Sequence, residues 1–227
     1  MESPSILSVD SPLTPDWWRN SRHIVHLIGV NGSGKSTLGR RLAQRCASHG
    51  GKAILDSEQR AYDPDFERAN AGRSDFHALH RETADRAIAL LNDWARSDAN
   101  LVVVDRWHES YDFALPANLL DEIDSAIASS GFRLRLVQLL VGGDSFSLAD
   151  DFLAMSARVA HTKAHRPASW WATGRGSFED RVREECDCQA AYGQFFERSP
   201  FPKIRVFTTE MNWADCERRI LGALAET

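Results

Sequence analysis

No stretch of the 227 residues approaches the roughly 18 apolar positions of a membrane-spanning helix, and the N-terminus lacks the basic and apolar regions of a secretion signal. A protein without a membrane partner, kept in the cytoplasm, is expected. Cysteine is scarce. Cys46, Cys186, Cys188 and Cys216 form no Cys-x-x-Cys pair and no zinc-type spacing, and thiols at i and i+2 of a helix splay about 200° apart. This excludes a zinc-stapled fold and predicts free thiols in a reducing compartment. A positive balance is absent too: 27 Lys and Arg face 32 Asp and Glu, for a formal charge of −5. That argues against a chain built to coat nucleic acid, although a local basic patch can still hold phosphates. There is no internal repeat, and the length suits one α/β core rather than two domains.

What is present is a regular alternation. Residues 1–22, with Pro4, Pro12, Pro15, Trp17 and Trp18, read as an irregular lead-in whose tryptophans dock on a single domain spanning 23–227. Strands are expected at 24–28, 52–55, 101–104, 132–141 and 203–208, and helices from the first strand to about 49 and over 77–96, 119–129, 178–197 and 213–225. A long mixed region covers 144–176. Strands separated by helices predict an α/β fold, a five-stranded, mostly parallel sheet with helices on both faces.

The first strand runs into Gly29-Val30-Asn31-Gly32-Ser33-Gly34-Lys35-Ser36-Thr37, which fits G-x-x-x-x-G-K-[ST] at every fixed position. Glycines allow backbone angles that a Cβ forbids, so N–H groups between Asn31 and Ser36 can turn inward around a phosphate. Lys35 adds a mobile positive charge. Ser36 would offer its hydroxyl to Mg²⁺ at the positive end of the following helix. The plain alternative is a glycine-rich strand-to-helix turn that binds nothing, but the strand before and amphipathic helix after it favour a cradle for nucleotide phosphates.

Ligands of open parallel sheets bind beyond the carboxyl ends of the strands. The second strand ends in Asp56-Ser57-Glu58-Gln59-Arg60, so Asp56 is a candidate to orient or deprotonate an attacking hydroxyl, with Glu58 behind it, against the simpler reading of a turn carboxylate. The run Leu101 to Val104 ends in Asp105-Arg106-Trp107, the form of a segment whose carboxylate orients Mg²⁺ opposite Ser36. Arg106 has the planar fork that grips a phosphate, and the alternative for both residues is a buried ion pair. Trp107, Ser110, Tyr111 and Phe113 are candidate walls of an acceptor pocket, while His108 reads as a surface or helix-start histidine. Residues 160–177 gather His161, Lys163, His165, Arg166, Trp170, Trp171 and Arg175 without a clear period, as a closing lid or a solvated excursion. Thr208 to Trp213, after the last strand, are placed to meet a nucleotide base.

Together these residues resemble the P-loop nucleoside and nucleotide kinases, most closely the thymidylate kinase group. Asp105-Arg106-Trp107 with Ser110 looks like that group's Asp-Arg-Tyr followed by Ser. The resemblance implies a kinase fold with a lid at about 158–177, in which Arg158 and Arg166 or Arg175 clamp ATP and Arg106 holds the acceptor's phosphate. It implies ATP and Mg²⁺ as cofactors and a pyrimidine nucleotide as acceptor, and it admits a homodimer. Two departures bear on the acceptor. The thymine-reading Ala-Tyr-Gln is replaced by Phe113-Ala114-Leu115-Pro116, and the usual Arg-Glu-Pro after the second strand by Asp56-Ser57-Glu58-Gln59-Arg60. The Asp-Arg-Trp stretch is also similar to bacteriophage kinases that phosphorylate 5-hydroxymethyluracil within DNA, which would act in the host cytoplasm. A mononucleotide ranks slightly ahead of such an alcohol.

The expected chemistry is in-line transfer of the γ-phosphoryl group, with Lys35, Asp56, Asp105, Arg106 and Arg166 catalytic, residues 29–37 and Arg158 on the donor, and Ser36 and Asp105 on the metal. A non-kinase ATPase or switch is the alternative class. A GTPase is disfavoured because no Asn-Lys-x-Asp occurs.

Overall fold

The computed structural model describes residues 13–56, 76–105, 107, 115–142, 148–165 and 176–226. Its strands are β1 (His23–Ile28), β2 (Ala53–Asp56), β3 (Leu101–Asp105), β4 (Arg133–Leu140) and β5 (Lys203–Phe207). They form one sheet in the order β2-β3-β1-β4-β5, and all four pairings are parallel. The described helices are α1 (Pro15–Asn20), α2 (Lys35–Ser48), α3 (Phe76–Arg96), α4 (Ala117–Ser129), α5 (Leu148–His165), α6 (Phe178–Arg198) and α7 (Trp213–Ala225).

Alternation along the strands divides the core. Val25 and Leu27 of β1 and Leu101 and Val103 of β3 join Leu38 and Leu42 of α2 and Ile220 and Leu224 of α7 on one face. Ile24, Ile28, Val102 and Val104 point the other way, against Leu91 and Trp94 of α3, Leu119 and Ile123 of α4 and Phe196 of α6. Central strands covered on both sides lose their polar alternation, which is why β3 reads as an unbroken apolar run. A third, smaller cluster of Val30, Val141, Met155, Val159 and Val182 lies under α5 and α6.

Two expectations change. Residues 15–20 are helical rather than irregular: Thr14 Oγ accepts the Trp17 N–H at 3.2 Å, and a proline stands in the first turn, where its missing N–H costs nothing. Leu13 and Trp18 are buried in the core of the α2 face, so the tryptophans dock as expected. The region 144–176 is not mixed throughout, since 148–165 form α5. Met155, Val159 and Thr162 recur at helical spacing on its buried side, and the intervening acidic and basic residues hid that period. Part of the expected lid is therefore a helix. The rest of that segment, 166–175, lies outside the described residues, as do 57–75, 106 and 108–114.

Arg22, just before β1, closes the end of α3. Its Nη2 donates to the carbonyls of Trp94, Ala95 and Ser97 at 3.1–3.2 Å and its Nε to Ala99 at 3.3 Å. A cation at a helix C-terminus satisfies carbonyls that have no partner within the helix.

Candidate active site

The loop between β1 and α2 has the backbone that its glycines permit. Gly32 and Gly34 have φ of 74° and 98°, and a Cβ at Gly32 would strike the Thr162 hydroxyl, while one at Gly34 would strike the Trp213 ring. Gly34 is the N-cap of α2 and makes no side-chain cap, so the open first turn keeps its positive end for an anion. Lys35 turns back across the loop, donating from Nζ to the carbonyls of Gly29 at 2.7 Å and Val30 at 3.0 Å. Its ammonium thereby closes a ring of donors.

Asp105, 3% exposed at the end of β3, faces this loop. Ser36 Oγ donates to Asp105 Oδ2 at 3.2 Å, and Lys35 Nζ lies 3.9 Å from Oδ1. A hydroxyl and a carboxylate at this separation are hard oxygen donors suited to Mg²⁺. Among the described residues no group of three His, Cys, Asp or Glu side chains could hold a metal. Two oxygen donors are fewer than a Mg²⁺ shell requires, so phosphate oxygens and water would have to supply the rest.

Asp56 is placed differently. Parallel pairing sets it beside Val104, and alternation turns it to the α3 face, away from Asp105. It is 0% exposed, and its Oδ2 accepts the Trp94 indole N–H at 2.9 Å. Oδ1 has no hydrogen-bond partner among the described residues. Trp94 packs on Trp107 with ring centroids 5.1 Å apart, and Trp107 meets His26 edge-on at 5.6 Å. Trp107 is therefore a buried core residue rather than an open pocket wall. It belongs to the same buried cluster as Ala84 and Ala87 of α3.

Helices α5 and α6 reach the loop with opposite charges. Arg158 of α5, 2% exposed, donates from Nη1 to the Gly32 carbonyl at 2.7 Å and from Nη2 to the carbonyls of Thr208 and Thr209. It joins the P-loop to the segment after β5. Burial pulls its pKa below the usual arginine range. Glu185 of α6 accepts the Asn31 backbone N–H at 3.0 Å and the Asn31 Nδ2 at 2.9 Å. The Asn31 amide is thus given to a carboxylate of the chain, and the Ser33 N–H to the Val30 carbonyl at 3.2 Å. Burial first, and then Asp151, Asp187 and Glu185, raise the pKa of neighbouring Cys186. All four cysteines are free.

Lys35, Ser36, Asp105 and Arg158 thus lie about one loop, and Asp56 lies on the far face of the same sheet end. Arg106, Glu58, Arg166 and Arg175, with 108–114, lie outside the described residues. Sequence reasoning missed Glu185, Gln189 and Trp94. Val182, Glu185, Gln189 and Phe196 share the buried stripe of α6, and Gln189 holds Val141 by both its N–H and its carbonyl at 2.9 Å. Polar residues at core-facing helical positions were the available signal.

Neither a family model nor any curated protein sequence matches the chain. Solved structures do match in fold. A gluconokinase from Sinorhizobium meliloti 1021 aligns with a TM-score of 0.51 and 18% identity over 92% of this chain and 94% of its own. Shikimate kinase from Acinetobacter baumannii, solved with shikimate, gives 0.51 and 14% over 93% and 97%. The YorR protein of Bacillus subtilis, solved with phosphorylated GDP, gives 0.50 and 14% over 88% and 95%. The fold is that of the P-loop kinases. No helix among the described residues is long and apolar enough to cross a membrane.

Proposed function

We propose that the chain is an ATP-dependent phosphotransferase that moves the γ-phosphoryl group to a hydroxyl acceptor. The observation that carries the reading is the convergence of Lys35, Ser36 and Asp105 on an open helix N-terminus. In this reading the backbone from Gly32 to Ser36 and the Lys35 ammonium hold the β- and γ-phosphates, and Ser36 and Asp105 hold Mg²⁺. The ion supplies charge neutralisation between those phosphates. Arg158 fixes the wall beside the donor. Arg106 and Arg166 add cations that hold the acceptor and offset charge on the transferring group.

The hydroxyl acceptor is favoured by Asp56. A buried carboxylate with one oxygen on an indole and the other unpartnered is costly to keep unless it is used. An alcohol supplies what Oδ1 lacks: its O–H donates, and the carboxylate takes the proton as the phosphoryl group arrives. The class runs from small polyols to a hydroxymethyl group on a pyrimidine in DNA, and the gluconokinase and shikimate kinase likenesses support its small-molecule end. A pyrimidine nucleotide is the second reading, favoured by the succession Asp105-Arg106-Trp107, since an arginine beside the metal carboxylate suits an acceptor phosphate.

Labelled MgATP incubated with thymidylate, other nucleoside monophosphates, nucleosides, gluconate, shikimate and hydroxymethyluracil-containing DNA tests the choice. Transfer to a hydroxyl compound is expected, and Lys35→Ala should abolish it while leaving the fold intact. Transfer confined to nucleoside monophosphates would establish the second reading. ATP turnover indifferent to every acceptor would move the chain to the ATPase or switch class.

A further inference from the structure

We infer that Glu185 is a positioning residue for the phosphate cradle, an inference that rests on the donor reading above. Asn31 is a variable position of the P-loop motif, and a side chain there has no necessary part in phosphate binding. Here both of its donors, backbone N–H and Nδ2, converge on the two oxygens of a carboxylate that is 7% exposed. An anion that merely stood in for a missing phosphate would need only the backbone N–H. The doubled contact is built for this pair, and charge-assisted bonds in a buried setting are the strong kind.

The peptide two further on is held by a second helix. Arg158 takes the Gly32 carbonyl, so adjacent residues of the loop are gripped by a carboxylate from α6 and a guanidinium from α5. Those helices pack together over Val30 through Met155, Val159 and Val182. Thr162 presses on Gly32 from the same side. The loop's first half therefore takes its shape from the helix pair. Glu185 fixes the Asn31 peptide and thereby sets where the remaining donors of the loop and of the α2 N-terminus stand around the terminal phosphates. Any movement of α6 that withdraws the carboxylate would slacken the cradle.

Equilibrium titration of the full chain with MgATP tests this. Glu185→Gln keeps the size and one acceptor but sets an NH₂ against Asn31 Nδ2, and it should weaken MgATP binding about tenfold. Asn31→Asp alone opposes two carboxylates and should weaken it at least as much. The double variant Asn31→Asp/Glu185→Gln re-forms the fork with donor and acceptor exchanged, and should recover affinity to within about threefold of the wild type. Recovery by exchange is something that a packing role would not produce. Wild-type affinity in both single variants, tighter binding by either, or a double variant no better than the singles would overturn the assignment. A wild-type chain that binds no MgATP would instead sink the donor reading, and this inference with it.

Discussion

The two faces of the sheet treat their strand-end carboxylates in opposite ways. On the α2 face Asp105 is met by a hydroxyl and an ammonium from the loop beside it. On the α3 face Asp56 is met by one indole, inside a cluster of Trp94, Trp107 and His26. The first carboxylate takes its partners from two consecutive residues, Lys35 and Ser36, the latter 69 positions away, and its Oδ1 has an ammonium within ion-pair distance but no hydrogen bond among the described residues. The second has one described partner from 38 residues away and an oxygen left over. The donor half of the proposed reaction is thus preassembled, while the acceptor half is completed by what binds.

That contrast can be broken by experiment. The largest effect is expected from Asp56→Asn: transfer to a hydroxyl acceptor should fall about 10²- to 10⁴-fold, the usual consequence of removing a general base. Stability should change little, because the amide oxygen still accepts the Trp94 N–H. An active or strongly destabilised variant would make Asp56 structural. Asp105→Asn should lower transfer about 10²-fold whatever the acceptor and raise the Mg²⁺ concentration needed for half-maximal rate. An unchanged Mg²⁺ requirement would remove Asp105 from the metal.

The smallest effect is a pH signature that also separates the faces. Burial, with Arg133 and Arg135 adding to it, lowers the pKa of His23 to about 4. His23 thus contributes stability that is full above pH 6.5 and is lost as pH falls toward 4, up to about 3 kcal/mol. On α4, burial and Asp121 push Asp124 up to about 6. Its contribution has the opposite sign, full below the unfolded carboxylate value and lost as pH rises through 6. Between pH 4 and 6 the two slopes oppose. Thermal melts of Asp124→Asn should therefore lose midpoint on acidification more steeply than the wild type, and equal slopes would refute the assignment.

The legible part of the sequence was what depends on local pattern. Apolar strand runs, the helix periods and the P-loop spacing gave the order of the five strands and of five of the seven described helices, α1 and α5 excepted, and parallel pairing followed from the alternation. Ser36 and Asp105 were legible as partners because each closes a strand–loop–helix junction. Arg158 was legible only through the family resemblance, and its grip on Gly32 and Thr208 was not, since those contacts join residues 126 and 50 apart. The face on which Asp56 sits follows from a one-residue difference in where β2 and β3 end, which alternation turns into opposite sides of the sheet. Glu185 escaped notice because a glutamate in a charged helix looks solvated until its stripe is known to be buried.

Arg22 carries a consequence for how the chain assembles. The carbonyls it seals lie 72 to 77 residues further along. As the polypeptide emerges from the ribosome, this arginine must wait for most of α3 and the turn into β3 before it has anything to close. The glycine-rich turn, by contrast, draws the Lys35 contacts to Gly29 and Val30 from within its own loop. Trimming the chain back to His23 would keep every residue of that turn and still leave four carbonyls at the end of α3 without their guanidinium.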